Sequence, residues 1–97
     1  MMALSNPIQD ELAALAHALT PLIEQVHHEY NKYFSGAEKK PPVRLRSNLE
    51  KQMNRATALK RQCQSYALNF KVQNLFNKYL TYRTLWDRKL KQLEDLD

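Results

Sequence analysis

Apolar residues recur along the first third of the chain at Ile8, Leu12, Leu15, Leu19, Leu22, Val26 and Tyr33, with Glu29 the one polar step in a 4-3-4-3 spacing. That spacing is the seam of a helix packed against another helix, and Tyr30 stands beside Glu29 to cover the gap. Asn6 can cap the free backbone N–H groups, Pro7 suits the first helical turn, and Asp10 and Glu11 complement the positive end of the dipole. Pro21 interrupts the hydrogen-bond ladder, yet the apolar phase runs through it. This predicts a kink, with Thr20 as a local cap if the helix breaks. Gly36 can take the left-handed cap conformation, so the first helix is expected over about 7–35 and a linker ending in Pro41-Pro42 over 36–42.

From Val43 to Asp97 there are 55 residues without a glycine or a proline, and the pattern predicts helix over about 43–95. It can begin after Pro42, or at Ser47, where Ser47 and Glu50 form a capping box. The seam continues through Leu45, Leu49, Gln52, Ala56, Leu59, Cys63, Tyr66 and Phe70. It then slips by one residue to Val72, Phe76, Tyr79, Arg83, Trp86, Leu90 and Leu93, widened by Leu75, Tyr82 and Leu85. A one-residue slip turns the stripe by about 100°.

The chain is therefore read as a single all-α domain over 1–97, in one of two arrangements. The first is an antiparallel, coiled-coil-like hairpin whose long basic second helix leaves its aromatic back half for a second copy or another protein. The second breaks that helix near Asn69 to Lys71 and closes a three-helix bundle. No breaker stronger than Asn69 stands in the stretch, which favours the long helix; the similar segment lengths favour the bundle.

Charge divides the chain. Residues 1–38 hold one lysine against five carboxylates, a net −4, whereas residues 39–91 hold fourteen Lys and Arg against Glu50 and Asp87, a net +12. Such asymmetry calls for two pairing surfaces or an acidic partner. The candidate partner-binding face comprises Arg44, Lys51, Arg55, Lys60, Arg61, Lys71, Lys78 and Arg88, continued by Lys89 and Lys91. Tyr30, Tyr33, Phe34, Lys39 and Lys40 gather at the hairpin tip, either as a plug for the helical core or as a gripping surface. Tyr79, Tyr82 and Trp86 form an aromatic face read as core or dimer interface, with a base-stacking platform as the alternative. Arg83 among them needs an acid such as Glu29, Asp87 or a partner's carboxylate.

Catalytic chemistry finds little purchase. His27 and His28 point about 100° apart on a helix, His17 has no companion ligand, and all three are read as solvent-facing. Cys63 sits on the seam as a small buried hydrophobe, without a base to activate it. No nucleophile turn and no glycine-rich loop is present, so no enzyme, cofactor, metal or small-molecule substrate is expected. A single cysteine suits a reducing compartment, no apolar run is long enough to span a bilayer, and Met1-Met2-Ala3-Leu4 lacks a signal peptide's basic region. A cytoplasmic location is expected.

Tyr30-x-x-Tyr33-Phe34-x-Gly36, the prolines that follow, Arg44 to Leu49, and Tyr79 to Trp86-x-Arg88 with Leu93-Glu94 resemble a small helical domain. That domain occurs at the C-terminus of uncharacterised deltaproteobacterial and myxobacterial proteins, some with signalling modules. The resemblance covers roughly residues 28–95 and departs at the acidic first helix. It implies a bacterial, helical, non-enzymatic module and brings no activity with it. The function expected is an interaction or adaptor protein that docks an acidic protein surface or forms a homodimer. The alternative is a nucleic-acid- or ribosome-associated protein using the basic face, although zinc-finger, RNA-binding and basic-zipper signatures are all missing.

Overall fold

A computed structural model describes residues 6–96, and the Met1 to Leu4 start lies outside the described residues. The chain forms three helices, α1 (Pro7–Phe34), α2 (Val43–Lys60) and α3 (Tyr66–Asp95). No strand is present among the described residues. Side-chain pairs give their directions. Glu11 meets Arg55 and Tyr30 meets Arg46, so α2 runs antiparallel to α1; Glu24 meets Lys78 and Phe34 lies under Lys89, so α3 runs parallel to α1. The result is a slender up-down-up rod measuring 64 × 18 × 16 Å.

The first helix forms as its sequence dictates. Asn6 Oδ1 accepts from the backbone N–H groups of Ile8 and Gln9 at 3.1 and 3.2 Å. Gly36, at φ 86°, turns the chain out of the helix after Ser35. Pro21 does not end α1, and the Thr20 hydroxyl donates back to the Ala16 carbonyl at 2.9 Å. α2 starts at Val43, not at Ser47. Glu50, the expected capping partner of Ser47, instead accepts from Arg46 one turn earlier at 2.8 Å.

The break in the basic stretch falls at residues 61–65, not at 69–71, and the continuous second helix is thereby replaced by two. No glycine or proline makes this corner. Ser65 caps α3 by accepting from the Leu68 N–H at 3.3 Å, and Asn69 reaches back with its amide to the Cys63 carbonyl at 2.8 Å. Asn69 closes the corner from inside α3; it does not break the helix. The apparent slip of the seam near Phe70 is the same corner seen in the sequence. Because the chain turns before Tyr66, both Tyr66 and Phe70 swing from the expected seam to the surface.

α1 is the common wall of the bundle. It buries Leu12, Ala16, Leu19, Ile23, Val26 and Tyr30, and Leu15 and Leu22 are only partly covered, so its stripe is wider than a two-helix seam. α2 contributes Leu49, Met53, Ala56 and Leu59, Cys63 plugs the corner, and α3 contributes Val72, Tyr79 and Trp86. Gln52, placed on the seam by its spacing, lies half-buried while Met53 beside it is fully covered.

Candidate docking surface and the aromatic junction

Near the end of α1 the three helices meet around Trp86, which is fully buried. Tyr30 stacks on it with centroids 4.8 Å apart, and Phe34 continues the stack at 5.5 Å from Tyr30. The indole N–H of Trp86 donates to His27 Nδ1 at 3.0 Å. His27 in turn lies flat against Tyr82 at 3.9 Å and an interplanar angle of 3°. Tyr82 donates its hydroxyl to Glu24, which also pairs with Lys78. The expectation of solvent-facing histidines therefore fails at His27, because α3 lays two rings against it; His17 and His28 are exposed.

Arg46 locks this junction and was absent from the candidate face. Its guanidinium donates to Asp87 of α3 at 2.7 Å, to the Tyr30 hydroxyl of α1 at 3.2 Å, and to Glu50 of its own helix at 2.8 Å. It also lies over the Tyr30 and Trp86 rings, at 5.8 and 5.7 Å. Burial opposes its charge, but hydrogen bonds to Asp87, Tyr30 and Glu50 outweigh that cost and hold its pKa above the ordinary arginine value. The signal in the sequence was slight: Glu50 four residues after Arg46, a spacing that pairs opposite charges on any helix.

The aromatic face of α3 is thus spent within the bundle. Tyr79 and Trp86 are buried by the chain's own helices and belong to the core, while Tyr82 is half-buried against His27. Arg83 pairs with neither Glu29 nor Asp87. Those acids are taken by Lys32 and Arg46, and Arg83 lies exposed over the Tyr79 ring at 5.5 Å. At the tip, Tyr30 plugs the core, Tyr33 and Phe34 are half-buried, and Lys39 and Lys40 are exposed.

The basic residues do not share one face. Arg44, Lys51 and Arg55 lie along one side of α2, where Arg55 grips Glu11 through two hydrogen bonds at 2.6 and 3.1 Å. That pairing holds the Glu11 carboxyl below, and the Arg55 guanidinium above, its ordinary pKa. Lys71, Lys78 and Lys89 lie on the α1 side of α3, where Lys78 pairs with Glu24 and Lys89 covers Phe34 at 5.3 Å. Lys60 and Arg61 line the groove between α2 and α3, and Arg88 is exposed on the outside of α3. Of fifteen Lys and Arg, Lys32, Arg46, Arg55 and Lys78 have carboxylate partners among the described residues.

Apolar surface remains at both ends of the rod. Tyr66 is 84% and Phe70 60% exposed at the start of α3, and Leu93 and Leu96 lie open at its end beside Phe34. Among the described residues no three His, Cys, Asp or Glu side chains come together as a metal site requires, and no helix is long and apolar enough to cross a membrane. In comparison with known proteins, no family model, curated protein or solved structure matches the chain.

Proposed function

We propose that the protein is a non-enzymatic interaction module, a rigid three-helix rod that docks an acidic protein partner through its cationic surface. The observation that carries this reading is the imbalance left after internal pairing. Residues 51–86 contain seven Lys and Arg and no carboxylate, and among the described residues Glu11 and Glu24 of α1 pair with Arg55 and Lys78 of these. Because Tyr79 and Trp86 of α3 are consumed by the core, charge is the dominant chemistry left along the rod, with Tyr66 and Phe70 open at the start of α3. The distribution of cations over several faces suits protein carboxylates better than a phosphate backbone, which asks for a continuous basic track.

The test is to purify the tag-free protein from its own cell lysate through a sizing column, with and without nuclease, reading mass and the 260/280 absorbance ratio together. The expected result is a nucleic-acid-free complex with an acidic protein that dissociates as salt is raised. A complex that collapses on nuclease treatment transfers the function to a nucleic acid or the ribosome. A bare dimer transfers it to self-association.

A further inference from the structure

Two aromatic side chains one turn apart stand open at the α2–α3 corner. Tyr66 and Phe70 stack on each other with centroids 6.4 Å apart, and neither contributes to the buried core. Beside them runs a groove between α2 and α3 whose apolar lining is Val72 and Phe76 and whose polar lining includes Lys60, Arg61 and Gln73. Arg61 is exposed. The corner belongs to the acid-free segment, and Lys60 and Arg61 have no carboxylate partner among the described residues.

We infer that this corner docks an acidic, amphipathic protein segment whose apolar side chains lie against Tyr66 and Phe70 and whose carboxylates meet Lys60 and Arg61. The inference rests on the reading of an acidic partner given above and places that partner on the molecule. Charge complementarity selects the occupant. A second copy meeting this patch through a twofold axis would set the same two cations against themselves, with no acid between residues 51 and 86 to relieve them. A nucleic acid strand could stack on the rings and meet Lys60 and Arg61, but it would leave the apolar lining of the groove, Val72 and Phe76, facing a phosphate backbone. Carboxylates alternating with aliphatic side chains match both parts of the patch. Exposed aromatics flanked by cations have the makings of a binding hot spot, since rigid rings contribute large contact area at small entropic cost.

The experiment uses the full chain, its Y66S/F70S and K60E/R61E variants, and three fluorescein-labelled probes read by anisotropy. The first probe is a glutamate-rich helix of about four turns with leucine at every third or fourth position. The second replaces each leucine with serine at the same charge, and the third is oligothymidylate of equal charge. The expected result is leucine-helix binding at least tenfold tighter than serine-helix binding. Y66S/F70S should erase that ratio while leaving the serine helix unaffected, and K60E/R61E should weaken both. Thermal melts establish that both variants remain folded. Equal binding of the two peptides by the native chain overturns the corner site and leaves the acidic-partner reading standing; binding of neither peptide overturns both. Tighter oligothymidylate binding that Y66S/F70S abolishes makes the corner a base-stacking platform and overturns the proposal. So does a native dimer that becomes monomeric in Y66S/F70S.

Discussion

Trp86 donates its indole N–H to Nδ1 of His27, so the bond that joins α3 to α1 at the junction exists only while that imidazole nitrogen keeps its lone pair. Protonating Nδ1 replaces the acceptor with a second donor facing the indole. Burial lowers the His27 pKa; the nearby carboxylate of Glu24 opposes this, and Lys89 and Lys78 add to it. The neutral ring is thereby the native form.

Stability is accordingly expected to fall on mild acidification. Above about pH 6.5 His27 is neutral in both folded and unfolded chains and contributes no pH dependence. As pH drops from there, the unfolded chain takes up the proton first, so the balance shifts against the folded state until the pH has fallen through the lowered pKa of the folded chain. Glu11 and Glu24, whose pKa values are held below 4.5 by Arg55 and Lys78, act only at still lower pH, where their protonation removes further stability. His27→Gln keeps an acceptor without the titration, and its melting temperature should change less across this window. Parallel curves for the two proteins would sink the assignment.

Arg46→Ala should cost about 2 kcal/mol in a urea titration. The guanidinium side chain is 17% exposed and serves three acceptors, but Asp87 and Glu50 are open enough to be rehydrated once it is gone, which limits the penalty. Arg46→Lys should recover less than half of the loss, since an ammonium cannot reproduce the planar fork or lie flat on two rings. A lysine variant as stable as the native chain would show that charge alone sufficed.

The buried and exposed aromatics should separate cleanly. Trp86→Ala removes the largest fully buried side chain and should lower the unfolding free energy by about 3–5 kcal/mol. Tyr66→Ser should change it by less than about 0.5 kcal/mol. Comparable losses at the two positions would mean that the corner is packed more closely than its exposure indicates.

Asn69→Ala leaves the Cys63 carbonyl without its side-chain donor at a partly buried site, and a loss of about 1 kcal/mol is expected. Asn69 Oδ1 is itself buried without a partner, so part of the cost of holding the amide there is relieved on substitution. A loss well above 2 kcal/mol would instead mark Asn69 as the principal tie of the corner.

The first helix was legible because its signals are local. Asn6, Pro7 and Gly36 act through their own backbone neighbours, and the structure uses each where the spacing put it. The corner at 61–65 was not legible, because it is built from Ser65 and from a side chain four residues further on, with no glycine or proline to announce it. One misplaced turn then carried Tyr66 and Phe70 to the wrong side of the molecule. The seam of α1 was half legible: Leu12, Leu19 and Val26 are buried as the spacing requires, whereas Ala16, Ile23 and Tyr30 are buried because a second neighbour widens the stripe. Arg46 and His27 escaped notice for the same reason, since their partners come from other helices 16 to 59 residues distant in sequence.

Cys63 sits 6% exposed where α2 hands over to α3, and its backbone carbonyl holds Asn69. The corner thus carries its own stopwatch. A thiol reagent reaches that sulfur only when the handover opens, so the rate of labelling in native buffer, followed as reagent concentration rises until it levels off, counts how often α3 lets go of α2.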